Sequence, residues 1–232
     1  MRALSATDVL ALWERGANRH VLDRSALLCA FAQPGAHAIA DLPLGMVTAT
    51  LLRLREASFG ARIQCHVDCK RCGERLELVL VSSELLQPMR EGPYAIDLHG
   101  MHIRAPCLRD LAAVANESDL GRAARRLLAC CASQGGADAL ALPDEALREV
   151  EDALEALDPN ADLALDVHCA ACGYCGTAQL DAGELLWDEI DARARAIFRE
   201  VHILARAYGW TEGEILELGA TRRATYLTMV AG

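Results

Sequence analysis

ARIQCHVDCKRCGERLELVLVSSELL, residues 61–86, decides how the chain is organised, because a second stretch lies over it without a gap. That stretch is ADLALDVHCAACGYCGTAQLDAGELL, residues 161–186. Alanine, valine, both cysteines of C-x₂-C-G, a later leucine and the closing Glu-Leu-Leu coincide. Before the first knuckle Ile63, Cys65 and Val67 alternate with mostly polar neighbours, and Leu163, Leu165 and Val167 do so before the second. A period of two is that of a half-buried strand. Each copy therefore reads as strand, knuckle, strand and the start of a helix.

The overlay sorts the cysteines. Cys65 falls opposite Leu165 and Cys175 opposite Arg75, so neither is expected to be a ligand. Cys69 and Cys72 match Cys169 and Cys172, and two such turns supply what a closed, tetrahedral, four-thiolate zinc site needs. The glycine after each pair permits the positive φ that turns backbone amides toward the sulfurs. The knuckles are 96 residues apart, which requires an inserted subdomain.

Other readings of CHVDCKRCG remain open on the residues alone. A C-x₃-C-x₂-C iron–sulfur loop, as in radical enzymes that use S-adenosylmethionine, would recruit Cys65, but repeated β–α units do not follow. A thioredoxin-like dithiol would open a helix, whereas ERLELVLV has a strand pattern. Four buried, unliganded cysteines are a third alternative. His66 and His168 flank the knuckles as substitute ligands or as strand-face side chains.

Composition narrows the class. The 232 residues carry ten cysteines, but MRALSATDVLALWERG has charges within its apolar segment and no signal-peptide shape, so reduced thiols and a cytoplasmic location are expected. No apolar run is long enough for a membrane span. A net charge of −10 and 4% aromatic residues argue against nucleic acid as a partner. Arg122, Arg125, Arg126, Arg222 and Arg223 read as solvated helix faces or contacts to an acidic protein.

The expected fold is α+β, with helical lobes around a duplicated strand–knuckle–strand zinc ribbon. Residues 1–60 form a helical lobe and 61–86 the first half of the ribbon. Residues 87–160 form an inserted hairpin-plus-helices subdomain, 161–181 the second half of the ribbon, and 182–232 a long helix followed by short ones. In the lobe, helices end at Gly16, at Pro34–Gly35 and at Gly60, and Cys29 reads as core. In the insertion, YAIDL and MHIRA flank a His99–Gly100 turn with Tyr94, Ile96 and Leu98 on one face and His102 on a strand face. Cys130 and Cys131 read as core residues of a helix, and the segments ASQGG and GAD as turns. DPNADLALD starts like a calcium loop, but Leu163 and Cys169 stand where glycine and glutamate are needed.

At the C-terminal end Asp181 and Glu184 resemble a capping box, and Leu186, Ile190, Ile197, Val201, Leu204 and Tyr208 form one helical stripe. Glu189–Arg193 and Asp191–Arg195 are spaced for ion pairs. Gly209 suits a left-handed cap with Trp210 packing back, and Thr211 with Glu214 starts another helix. The exposed side of EILEL and RRATYLTMV is a candidate docking surface. No nucleotide-binding, nucleophile-elbow or H-E-x-x-H motif occurs, so no catalytic residue is assigned.

Taken together, LWERGANRH (12–20), DLPLG (41–45), LLRLREASFG (51–60), DCKRCGERLEL, HCAACG, EIDARARAIFREVHILARAYGWTEGEILEL and RRATYL resemble small baseplate proteins of contractile phage tails, especially those of bacterial extracellular contractile injection systems. The resemblance to the baseplate-hub proteins of T-even phages is more distant. It implies a non-enzymatic structural or assembly component of a baseplate whose partners are other baseplate or tail subunits. The alternative is a cytosolic zinc-ribbon adaptor in transcription or RNA handling, which the knuckles favour and the charge opposes. A redox enzyme using one C-x₂-C ranks after both.

Overall fold

A computed structural model describes residues 1–134 and 139–231 and has an α+β architecture that is mainly helical. The N-terminal quarter holds three α-helices. α1 (Ala6–Gly16) starts at a capping box in which Ser5 and Asp8 satisfy each other's backbone amides. α2 (Val21–Ala32) is capped by His20, and α3 (Leu44–Phe59) stops at Gly60, whose φ of 93° only glycine adopts readily.

Two hairpins follow the repeat. β1 (Arg62–Asp68) pairs antiparallel with β2 (Arg75–Val81), and a single helical turn, α4 (Ser82–Leu85), comes next. One hundred positions later the other two strands of the repeat hold the same register: Ile63 faces Leu80 as Leu163 faces Leu180, and Asp68 faces Arg75 as His168 faces Cys175.

Between the hairpins lie β3 (Ala95–Leu98), β4 (Met101–Arg104), α5 (Leu108–Val114), α6 (Leu120–Cys131), β5 (Ala132–Gln134) and α7 (Asp144–Leu157). His99 and Gly100 both have positive φ, 51° and 74°, which matches the mirror-image turn expected of a two-residue hairpin loop. The ASQGG turn is not formed as expected: Ala132–Gln134 is instead a third strand on β4, and the rest of that turn and of GAD, residues 135–138, lies outside the described residues. The second hairpin is β6 (Leu163–His168) with β7 (Cys175–Leu180). The chain then ends with α8 (Ala182–Tyr208), α9 (Glu212–Glu217) and α10 (Ala220–Ala231).

Two apolar cores result. The larger joins Leu12, Leu28, Leu52 and Leu54 of the first helices to Leu186, Ile190 and Ile197 of α8, so the two ends of the chain share one core. Burying each such side chain contributes roughly 1.5–3 kcal/mol. The smaller core, Met101, Ile103, Leu128, Cys131, Leu147 and Val150, belongs to the insertion. Asp158, at the end of α7, accepts a hydrogen bond of 2.8 Å from the Gly45 amide and so caps α3 from another element. A side chain at position 45 would collide with it, since a Cβ there would lie 1.9 Å from Asp158 Oδ1. Asn160 exchanges hydrogen bonds of 2.8 and 3.0 Å with the Gln87 backbone. The polar residues of DPNADLALD thus serve packing.

Several expectations need correction. Cys130 is exposed, and only Cys131 enters the core, because adjacent helical residues point 100° apart. Glu189 does not pair with Arg193. It takes a two-pronged pair from the buried Arg55 of α3 (2.6 and 2.9 Å), while Arg193 bonds Glu200 at 2.6 Å. Tertiary partners outcompete a solvent-exposed pair one turn apart. Asp191–Arg195 forms as spaced, and Asp191 also accepts from Trp13 Nε1. Asp181 caps α8 through the Gly183 and Glu184 amides. In the stripe, Tyr208 is exposed and stacks on Trp210. Among the described residues no helix is long and apolar enough to cross a membrane.

Candidate metal centre

Each hairpin is rooted in the larger core at one end and reaches the other at its knuckle. Ile63 and Leu163, near the starts of β1 and β6, are both buried in that core, and the Ser82 amide and hydroxyl close the first hairpin on the Ala61 carbonyl. Toward the knuckles burial falls away except at Val167, which is 7% exposed. β2 and β7 contain no fully buried residue, yet Cys69 and Cys169 at the tips are 5% and 0% exposed.

The knuckles match bond for bond. The Cys69 amide donates to the Glu74 carbonyl and the Gly73 amide to Cys69, at 2.8 and 2.9 Å. In the second knuckle Cys169 donates to Tyr174 and Gly173 to Cys169, both at 2.8 Å. Gly73 and Gly173 have φ of 74° and 68°. A left-handed residue there reverses the chain within one turn and brings both sulfurs of a pair to the same side.

The four sulfurs converge. Cys69 Sγ lies 3.6 Å from Cys172 Sγ, Cys72 Sγ lies 3.7 Å from Cys169 Sγ, and all four Sγ atoms fall within 4.8 Å of one another. All are free thiols, far beyond disulfide length. Four sulfurs about 2.3 Å from a central ion would sit about 3.8 Å apart, so the donor set fits a tetrahedral metal of zinc's size. His66 and His168 are exposed strand residues outside the cluster; Cys65 packs against the core, and Cys175 is exposed.

Electrostatics around the sulfurs are uneven. Burial opposes ionisation of Cys69, but amides of Arg71 and Cys72 and the thiols of Cys172 and Cys169 outweigh it and draw its pKa down to about 6. The Glu74 amide favours a Cys72 thiolate, but proximity to Cys172, burial and the other thiols prevail and push it up to about 12. Burial raises Cys172. A cation at the centre would remove this competition, because every sulfur could then carry its charge toward the ion.

Sequence reasoning missed the cross-braces. Lys70 Nζ donates to the Thr177 carbonyl at 3.1 Å, and Arg71 Nη1 to the Cys172 carbonyl at 3.4 Å, with the Arg71 guanidinium 5.7 Å from the Tyr174 ring centroid. Both cations come from the first knuckle and both acceptors from the second hairpin, Cys172 in its knuckle and Thr177 in β7. The overlay held the signal, since Lys70–Arg71 stand opposite Ala170–Ala171. No family model, curated protein or solved structure matches the chain.

Proposed function

We propose that Cys69, Cys72, Cys169 and Cys172 bind one structural zinc ion, making the two hairpins the halves of a duplicated zinc ribbon. The observation that supports it is the convergence of two cysteine pairs, one from each knuckle, with Cys69 and Cys169 buried at hairpin tips where little else is. Isolated two-stranded hairpins are marginally stable in water, and here the tips meet through four sulfurs at metal-site spacing. A four-thiolate site leaves no open position for water or substrate, so its role is to hold chain segments together. Atomic absorption on protein from zinc-replete cells tests this directly, with one zinc per chain expected and a metal-free folded protein overturning it.

The body so clamped is, on this proposal, a non-enzymatic structural or assembly component of the baseplate of a phage-tail-like contractile injection particle, contacting other baseplate or tail subunits. Support comes from the resemblance carried by the stretches from LWERGANRH to RRATYL, which spans most of the chain. Deleting the gene should leave tubes and sheaths without complete baseplates in electron micrographs, and normal particles would remove the proposal. A zinc-ribbon adaptor for transcription or RNA is the losing outcome unless a gel shift at low salt shows binding despite the net charge of −10.

A further inference from the structure

The first turn of α1, the end of α3 and the corner between α9 and α10 enclose a pocket of about 350 Å³. Leu4, Val9, Phe59 and Leu216 give it apolar walls, and among the described residues the only charged side chains lining it are Arg193 and Arg223. Both guanidinium groups grip Glu200, which does not line the pocket: Arg193 Nη1 meets Oε1 and Arg223 Nε meets Oε2, each at 2.6 Å. One carboxylate balances two guanidinium groups, so the wall keeps one net positive charge in a chain whose own net charge is −10. The wall serines are already committed, Ser5 Oγ donating to Asp8 and Ser58 Oγ to the Leu54 carbonyl.

Arg223 carries the argument further. Its side chain is only 3% exposed, and it spends Nε on Glu200 and Nη1 on the Leu218 carbonyl. Nη2 has no protein acceptor among the described residues. No side-chain nitrogen there is both sealed from solvent and unpaired, so Nη2 keeps some access to solvent, and Arg223 lines the pocket. Arg193 keeps Nε and Nη2 without acceptors in the same way. A buried guanidinium with a donor left over, facing a pocket with no acid on its wall, is suited to an anion. The apolar walls and the single surplus charge select a monoanion with a hydrocarbon body over phosphate.

We propose that this pocket binds a carboxylate on a short aliphatic body, with its oxygens on the spare nitrogens of Arg193 and Arg223. Two sources share that chemistry, a medium-chain fatty acid and the last residue of a polypeptide ending in an aliphatic side chain. The volume is at the small end for ligand pockets and suits either.

Isothermal titration of the zinc-loaded full chain tests it with four probes: octanoate, octanol, acetyl-Gly-Leu with a free carboxylate, and its amide. At least one carboxylate should bind saturably with one site per chain, about tenfold or more tighter than its uncharged counterpart, because charge-assisted hydrogen bonds are lost in the neutral probe. Which carboxylate binds identifies the source. Arg193→Gln should weaken binding about tenfold with zinc content unchanged and the folded circular-dichroism spectrum retained, since Arg223 still partners Glu200. Leu4→Glu, which places a like charge at the wall, should abolish binding. Equal binding of charged and neutral probes, no saturable binding of either carboxylate below about 10 mM, or full affinity in both variants overturns the proposal.

Discussion

The two hairpins share a register and a knuckle but are anchored differently. The first leaves the core through α3 and returns into one helical turn, Ser82–Leu85; the second leads into the 27 residues of α8, which run through the larger core. At the tips the difference reverses: the first knuckle supplies the cations Lys70 and Arg71, and the second supplies only carbonyl acceptors and a tyrosine ring. The hairpin that returns into only one helical turn is thus the one that reaches across. What the copies hold in common is the part the sulfur geometry demands, and they diverge wherever packing differs.

Removing the sulfurs should break the equivalence most severely. Cys69→Ser with Cys72→Ser is expected to lose all bound zinc, and the apparent binding energy of structural zinc sites, on the order of 10 kcal/mol, exceeds what either hairpin can replace. Hydrogen exchange should then show both hairpins opening, the first more completely, while α8 keeps its protection. Cys175→Ser, at an exposed position, should keep full zinc content.

Core truncation separates the roots. Ile63→Ala and Leu163→Ala should each cost about 2–5 kcal/mol in urea unfolding, with Ile63, fully buried, the costlier relative to Leu163 at 7% exposure. Gly73→Ala and Gly173→Ala should be matched at about 1–2 kcal/mol each. A Cβ meets no atom within 4 Å at either position, which leaves the left-handed backbone as the only cost. Unequal values would show that the two knuckles are not equivalent.

Acid tests the helical bodies apart from the hairpins. Burial opposes ionisation of Asp110, but Arg104 and Cys107 outweigh it and hold its pKa below the usual 3.8. Burial likewise opposes Glu200, and Arg193 and Arg223 hold it below 4.5. A depressed carboxylate stabilises the fold above its unfolded pKa, and that stability is lost as pH falls through the folded value. Asp158 has the opposite sign: burial raises it, against the Gly45 amide, so its contribution is present below 3.8 and lost as pH rises through its folded pKa. Thermal unfolding of the body should change little between pH 7 and 5 and drop below about pH 4. In Asp158→Asn that drop should be steeper.

The local signals were legible because local chemistry sets them. Ser5, Gly60, the His99–Gly100 turn, Gly209 and Thr211 each mark an element boundary through a cap or a backbone conformation, and the structure has those boundaries. The convergence of four sulfurs followed from the repeat, which compares two stretches of sequence directly. What was hidden depends on partners far apart in the chain: Arg55 taking Glu189, Asp158 capping α3, and β5 joining β4 at a place read as a turn. No window of neighbouring residues contains those choices. Cys130 and Cys131 fall between the two cases, since helical period put one of them inward but the helix's rotation in the fold decided which.

Dividing the ligands between two knuckles 96 residues apart has a kinetic consequence. During synthesis the first pair of thiols leaves the ribosome well before its complement exists, and a half-site offers an ion only two sulfurs. Closing so long a loop carries an entropic penalty that the packing of α3 against α8 must offset first. On the proposed zinc site, metal uptake would be the last step of maturation, a latch that engages only on a chain whose two ends have already found each other.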